Sequence, residues 1–197
     1  MKKGKYSNGR VRKPVALILA LVLVLGVAIG GTIAWLTDTT EEVKNTFTTS
    51  DVDIDLKETK KDFQMVPGCT IEKDPIVTVL KESEDAWVFV KVDESENLDN
   101  FITYEVDTNN WKPLEGVEGV YYIKYTNRDD VDISIKVLKD NKVTVKDTVT
   151  KGDMDALTAE TYPKLTFTAY ACQYMKNNDE AFKPIEAWNN VYKPATP

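Results

Sequence analysis

Residues Ala86 to Asp93 read AWVFVKVD, and this run constrains the fold more than any other stretch of the chain. Val88, Val90 and Val92 alternate onto one face of an extended strand, while Trp87 and Phe89 occupy the other. A strand apolar on both faces belongs between two layers, because exposing either side leaves large rings or branched side chains in water. The neighbouring segments are short and keep the same period of two. Val52, Ile54 and Leu56 alternate with Asp51, Asp53 and Asp55, so that strand has one buried and one wet face. Pro67-Gly68 marks a turn, and Thr70 to Leu80 reads as a strand interrupted at Pro75, which confines that part to a sheet edge or a bulge. Phe101 to Val106 and Gly119 to Thr126 read as strands flanking a loop that holds Trp111, Pro113 and Gly116. Val131, Ile133, Ile135 and Val137 alternate, and a turn at Lys139-Asp140-Asn141 leads on to Val143 and Val145. Thr148 to Tyr162 breaks the rhythm, with a helical turn predicted at Met154 to Leu157. Leu165, Phe167 and Ala169 then share a strand face, with Tyr170 and Cys172 following them. Only at residues 180–192 does the period change: Ile185, Trp188 and Tyr192 fall on a helical stripe, with Pro184 near its start. About seven to nine short strands, without strand–helix–strand alternation, predict an all-β fold, a jelly-roll-like antiparallel β-sandwich closed by a short C-terminal helix.

The first 34 residues carry a different message. Lys2, Lys3, Lys5, Arg10, Arg12 and Lys13 precede an unbroken apolar run from Val15 to Ile29, and no acidic residue occurs before Trp35. A basic region, an apolar region and small residues before a cut are the parts of a secretory signal peptide. Thr32 and Ala34 supply the small pair at −3 and −1, which places cleavage between Ala34 and Trp35. The charge-free stretch Val15 to Leu36 is also long enough to span a bilayer as a retained helix. Gly26, Gly30, Gly31 and Thr32 weaken such a helix and favour cleavage. On either reading the basic flank keeps the N-terminus cytoplasmic and sends the rest outside. The chain divides into a signal-peptide helix at 1–34, an extended segment at 35–49 and a sandwich domain at 50–197 with its closing helix at about 180–192. The segment 35–49, WLTDTTEEVKNTFTT, is rich in threonine and apolar at Trp35, Leu36, Val43 and Phe47.

Charge and composition exclude several function classes. Six of the 25 basic residues and none of the 32 acidic ones lie in residues 1–34, so the remaining 163 residues carry 19 basic against 32 acidic groups, a net of −13. Such a surface repels nucleic acid and anionic membranes, and membrane contact is expected only through an uncleaved signal segment. The chain has no histidine, which removes the usual general base and the commonest zinc ligand together. The five serines, Ser7, Ser50, Ser83, Ser95 and Ser134, therefore have no histidine to activate them. Asp51, Asp53 and Asp55 stand two apart on a strand and fan along a surface instead of converging on an ion. No catalytic residue, metal ligand or cofactor is assigned. Cys69 and Cys172 either bridge across a loop of about a hundred residues, for about 4–5 kcal/mol on the chain-entropy model, or remain two buried thiols.

The order of these signals resembles a known family. Gly30 to Asp38 (GGTIAWLTD), then Asn45-Thr46-Phe47, then Val52 to Leu56 (VDIDL) resemble the N-terminal region of the TasA/camelysin family, secreted proteins of Gram-positive bacteria. Pro67-Gly68 followed by Lys73-Asp74-Pro75 and Val77 is similar to a turn motif of that family. Ala169 to Gln173 (AYACQ) and Ala187-Trp188 are similar to its closing strand and helix. The resemblance implies processing by a signal peptidase of the SipW type and self-association into fibres of an extracellular biofilm matrix, alone or with other matrix proteins. It also implies a linkage in which the freed N-terminal segment of one subunit adds a strand to the next, through Trp35, Leu36, Val43 and Phe47 here. The other reading of that segment is that it folds back as the first strand of its own subunit. Two rival functions stand beside the fibre subunit. One is a camelysin-like surface metallopeptidase, although this chain has no histidine with which to build a zinc motif. The other is a monomeric surface adhesin or minor fibre component.

Overall fold

A computed structural model describes residues 35–37, 52–59, 62–127 and 131–193. The two-sided run forms β6 (Ala86–Glu94), the centre of a four-stranded antiparallel sheet ordered β12-β6-β9-β8. Its partners are β12 (Leu165–Gln173), β9 (Val120–Tyr125) and the two-residue β8 (Lys112–Pro113). The β6–β12 ladder is unbroken over nine pairs, from Leu165↔Glu94 to Gln173↔Ala86. Two three-stranded sheets complete the antiparallel framework. One is β10 (Ile133–Lys136), β5 (Ile76–Val79) and β2 (Ile54–Lys57); the other is β4 (Thr70–Glu72), β11 (Leu138–Val145) and β7 (Ile102–Val106). The fold is an all-β sandwich with a short closing helix, as the alternation predicts.

Both faces of β6 are used. Val88, Val90 and Val92 join Phe167 and Ala169 of β12 in the main core, against Ile54 and Leu56 of β2, Val77 and Val79 of β5, and Val143 and Val145 of β11. Phe89 points the other way, into a second cluster with Val120, Cys172 and Leu114. That face is roofed by the closing helix, Pro184–Val191, through Ala187, Trp188 and Val191. Proline at its first turn costs no hydrogen bond there, and Glu186 accepts from the Lys183 amide at 3.1 Å. Trp188 stacks on Tyr192 and meets Phe89 and Tyr170 at ring distances of 5.4 and 5.1 Å. Trp87 anchors the chain before the helix by donating its indole N–H to the Phe182 carbonyl at 2.8 Å.

Three local expectations are corrected. Thr70 to Leu80 is two strands in two sheets, β4 and β5, because the chain changes sheet at Lys73-Asp74-Pro75. A four-residue helix, Leu98–Phe101, precedes β7 and takes Phe101 out of the strand. Lys139-Asp140-Asn141 is no turn but the middle of β11, where the pairing with β7 shifts register between Leu138 and Val143. Asp140 and Asn141 have φ of 56° and 55°, so the residues that suggest a turn do adopt its conformation, as a bulge in a continuing strand. Gly119 has a positive φ of 69°, and a Cβ there would lie 2.6 Å from the Val92 carbonyl oxygen, so the entry into β9 requires glycine. The helical turn near Met154 is the five-residue helix Lys151–Asp155. Its capping box runs from the Thr150 hydroxyl to the Asp153 amide at 3.2 Å and back from Asp153 to the Thr150 amide at 2.8 Å. The signal-peptide helix expected at 1–34 lies outside the described residues.

Candidate functional site

The N-terminal segment enters the described structure as a short strand, β1 (Trp35–Thr37), paired antiparallel with β3 (Asp62–Gln64). The register is Trp35↔Gln64, Leu36↔Phe63 and Thr37↔Asp62. This ladder is separate from the three sheets of the sandwich: β1 pairs with β3 and with no other described strand. Within one chain, then, the first residues after the expected cut lie on a strand of the same chain. Thr32, Ala34, Val43 and Phe47, the other residues expected to serve processing and linkage, lie outside the described residues.

The connection from β2 to β3 is clamped to the sandwich just before it reaches β3. Lys73 is buried to 1% exposure, and its Nζ lies 3.0 Å from Glu58 Oε1, itself in a side chain only 5% exposed. The contact is an ion pair rather than an aligned hydrogen bond. The ammonium also sits 5.4 Å from the centre of the Phe167 ring, a cation–π distance. The next residues pair as well: Asp74 Oδ1 accepts from the Thr59 amide at 3.0 Å, and Oδ2 accepts from the Thr59 hydroxyl. Two consecutive residues after β2 are thus held by two consecutive residues between β4 and β5. The Lys73 amide donates to the Asn141 carbonyl at 2.9 Å, and the Pro75 carbonyl accepts from Val137 at 3.0 Å, so the clamp is built on β11 and the β10–β11 joint. The sequence marks Lys73-Asp74-Pro75 as a motif, but nothing in it announces that the lysine is interior.

The largest groove lies elsewhere, along the outer edge of β7, with a volume of about 710 Å³. It is lined by Glu94, Asp99, Tyr104, Glu105, Asp107 and Tyr121, among others. The Tyr104 hydroxyl donates to Glu94 Oε1 across it. Burial pushes the Tyr104 phenol well above its ordinary value, and the hydrogen bond to the Glu94 carboxylate adds to this. A group whose folded pKa is raised stabilises the fold fully below its unfolded value, near 10 for tyrosine, and loses that contribution as pH climbs toward the folded value. Unfolding free energy is therefore expected to fall above about pH 10, and Y104F to make that fall shallower. Urea titrations between pH 8 and 11 measure it, and an unchanged slope in Y104F would count against the assignment.

The remaining sequence candidates resolve into structural roles. Ser83 Oγ accepts from the Asp53 amide at 3.1 Å, and Ser95 Oγ accepts from the Lys164 amide at 2.8 Å. Ser134 Oγ meets Thr78 Oγ1 at 3.0 Å across the β10–β5 pair. No group of three acidic or cysteine side chains suited to a metal ion is found among the described residues. Cys69 and Cys172 are not bridged. Cys69 is exposed in the turn before β4, its carbonyl accepting from Val145, whereas Cys172 is buried on the helix-covered face of β12 opposite Trp87. The two thiols belong to different sheets, which is why the long-range bridge does not form, and the alternative of two buried thiols holds for Cys172 alone. Among the described residues no helix is long and apolar enough to cross a membrane. Comparison with protein-family models, curated proteins and solved structures finds no match to this chain.

Proposed function

We propose that this protein is an exported structural subunit that links to its neighbours through the segment beginning at Trp35. The observation that carries the reading is the β1–β3 ladder, which stands apart from the sandwich sheets and involves three residues on each side. A strand held only by a short edge ladder exchanges readily: the same main-chain bonds form when β1 comes from another copy. Such a contact is head-to-tail and does not close on itself, so it propagates a fibre. Charge favours the same partner. Residues 35–49 contain Asp38, Glu41 and Glu42 against Lys44 alone, and β3 follows Lys57, Lys60 and Lys61 in the sequence. The basic and apolar signal segment supports export and release of Trp35 by a signal peptidase, and the resemblance to the TasA/camelysin family supports a matrix fibre as the product. While residues 1–34 remain attached, the strand is tethered at the membrane, so cleavage is the step that permits exchange.

The test is a cross-link that distinguishes exchange between copies from pairing within one. In a C69S/C172A background, exported chains carrying L36C are mixed with chains carrying F63C, two positions that face each other in the ladder. Opposed strand residues lie within disulfide reach, so mild oxidation is expected to yield covalent dimers and, in a chain carrying both cysteines, a ladder of multimers. If the mixture stays monomeric while the doubly substituted chain closes on itself, the strand belongs to its own subunit and the fibre reading fails.

A further inference from the structure

We infer that the open edge of β7 is a docking site for an extended basic peptide of a partner protein, which adds to the sheet as a fourth strand. The hydrogen-bond register decides which main-chain groups are available. Lys146 donates to the Phe101 carbonyl and Asp107 donates to the Val137 carbonyl, both at 2.8 Å, so the odd-numbered residues of this stretch turn their main chain toward β11. The main-chain groups of Ile102, Tyr104 and Val106 consequently face outward. The Ile102 amide is taken by the Leu98 carbonyl, which leaves the Ile102 carbonyl and both groups of Tyr104 and Val106 for a visiting strand.

Exposed edges are ordinarily blunted by proline, lysine or very short length. β8, which ends the four-stranded sheet, follows that rule: it is two residues long and reads Lys112-Pro113. β7, ITYEV, is five residues long and contains neither proline nor lysine. Its edge opens onto the groove of about 710 Å³, into which alternate side chains of an added strand would pass between Tyr104 and Tyr121.

Charge selects the occupant. The groove presents Glu94, Asp99, Glu105 and Asp107, and the one ammonium on its lining, Lys139, is already paired with Glu105. The segment 35–49 of this chain is itself acidic and would meet four carboxylates there, so its partner is β3 and not β7. An extended strand with lysine or arginine at alternate positions satisfies both the edge and the field. The site is independent of the β1–β3 ladder and stands whether or not the protein polymerises.

The probe is a synthetic peptide, acetyl-Lys-Val-Lys-Val-Lys-Val-Lys-amide, titrated into the exported chain while backbone amide shifts are followed by NMR. Saturable shifts at Tyr104 and Val106 are expected, with the acidic counterpart carrying glutamate for lysine producing none. E94Q/D107N is expected to weaken binding roughly tenfold, as is raising salt from 0.05 to 0.5 M, since both remove the same field. V106P deletes an outward N–H while sparing the inward ladder and is expected to weaken binding by about tenfold. Peptides N-methylated at alternate positions read the same bonds with the protein unaltered: one of the two methylation registers is expected to abolish binding and the other to preserve it. Absence of saturable shifts, equal binding of acidic and basic peptides, or indifference to both methylation registers would each overturn the site. Binding of the peptide corresponding to residues 35–49 in preference to the basic probe would also overturn it, by making the groove an acceptor for a second copy.

Discussion

Replacing Lys73 with methionine is expected to lower the unfolding free energy by about 3–5 kcal/mol, whereas K73M combined with E58L is expected to recover most of that loss. The asymmetry follows from where the charges lie. Lys73 and Glu58 are 1% and 5% exposed, and their 3.0 Å contact is an ionic one within the protein interior. Removing the cation alone leaves a carboxylate buried beside Phe167 and the end of β2 with its counter-charge gone, and such a group either stays charged at high cost or takes up a proton. Removing both charges and filling the space with apolar atoms eliminates the desolvation penalty along with the attraction. Urea denaturation of wild type, K73M, E58L and K73M/E58L closes a double-mutant cycle, and a large favourable coupling energy is the expected result. A K73M loss below about 1 kcal/mol would show that water reaches the pair and that the clamp is an ordinary surface contact. The clamp matters beyond stability because Glu58 and Thr59 are the last fixed points before β3, the strand that receives β1. K73M is thus expected to blur the β1–β3 register in the cysteine cross-link, while K73M/E58L retains it.

How much of this was legible in the sequence depends on the range of the interaction. The position of β6 was legible because its evidence is local: alternation on both faces of one strand leaves only a central place for it. The closing helix was legible for the same reason, its stripe covering the β6 face that carries Phe89. Pro75 was read correctly as an obstacle, but a local signal cannot reveal that the chain uses it to leave one sheet and enter another. Asp140-Asn141 misled because the residues that favour positive φ serve turns and bulges alike, and the choice is made by β4 and β7, which pair on either side of β11. Lys73 was invisible as a buried group, since lysine is almost always exposed and its partner Glu58 lies on the far side of β3 and β4 in the sequence. The β7 groove was equally out of reach: Glu94, Asp99 and Asp107 look like solvated loop charges until the sheets bring them to one edge.

The same blind spot produces the second large effect, W111A, expected to cost about 3–5 kcal/mol. Trp111 follows four polar residues and precedes Lys112 and Pro113, a setting that reads as a surface loop, yet its side chain is 0% exposed and belongs to the main core. The loop is built to bury it. Asp107 caps the turn, accepting from the Asn109 amide at 3.1 Å and the Asn110 side chain at 2.9 Å, and its carbonyl accepts from the Trp111 amide at 2.9 Å. The indole N–H then donates to the Lys136 carbonyl at 2.8 Å, at the end of β10 where the chain passes into β11. One side chain therefore ties the β7–β8 connection to the joint between two sheets, and truncating it both opens a cavity and leaves a carbonyl without its donor. W111F separates the two losses: the ring still fills most of the space, so its expected cost, about 1–3 kcal/mol, reports chiefly the lost hydrogen bond. Thermal and urea unfolding of the two variants read the difference. At about 2–4 °C per kcal/mol for a domain of this size, W111A should melt on the order of 10 °C below wild type and clearly below W111F. Equal melting of W111A and wild type would be incompatible with an indole sealed from solvent at the meeting point of two sheets.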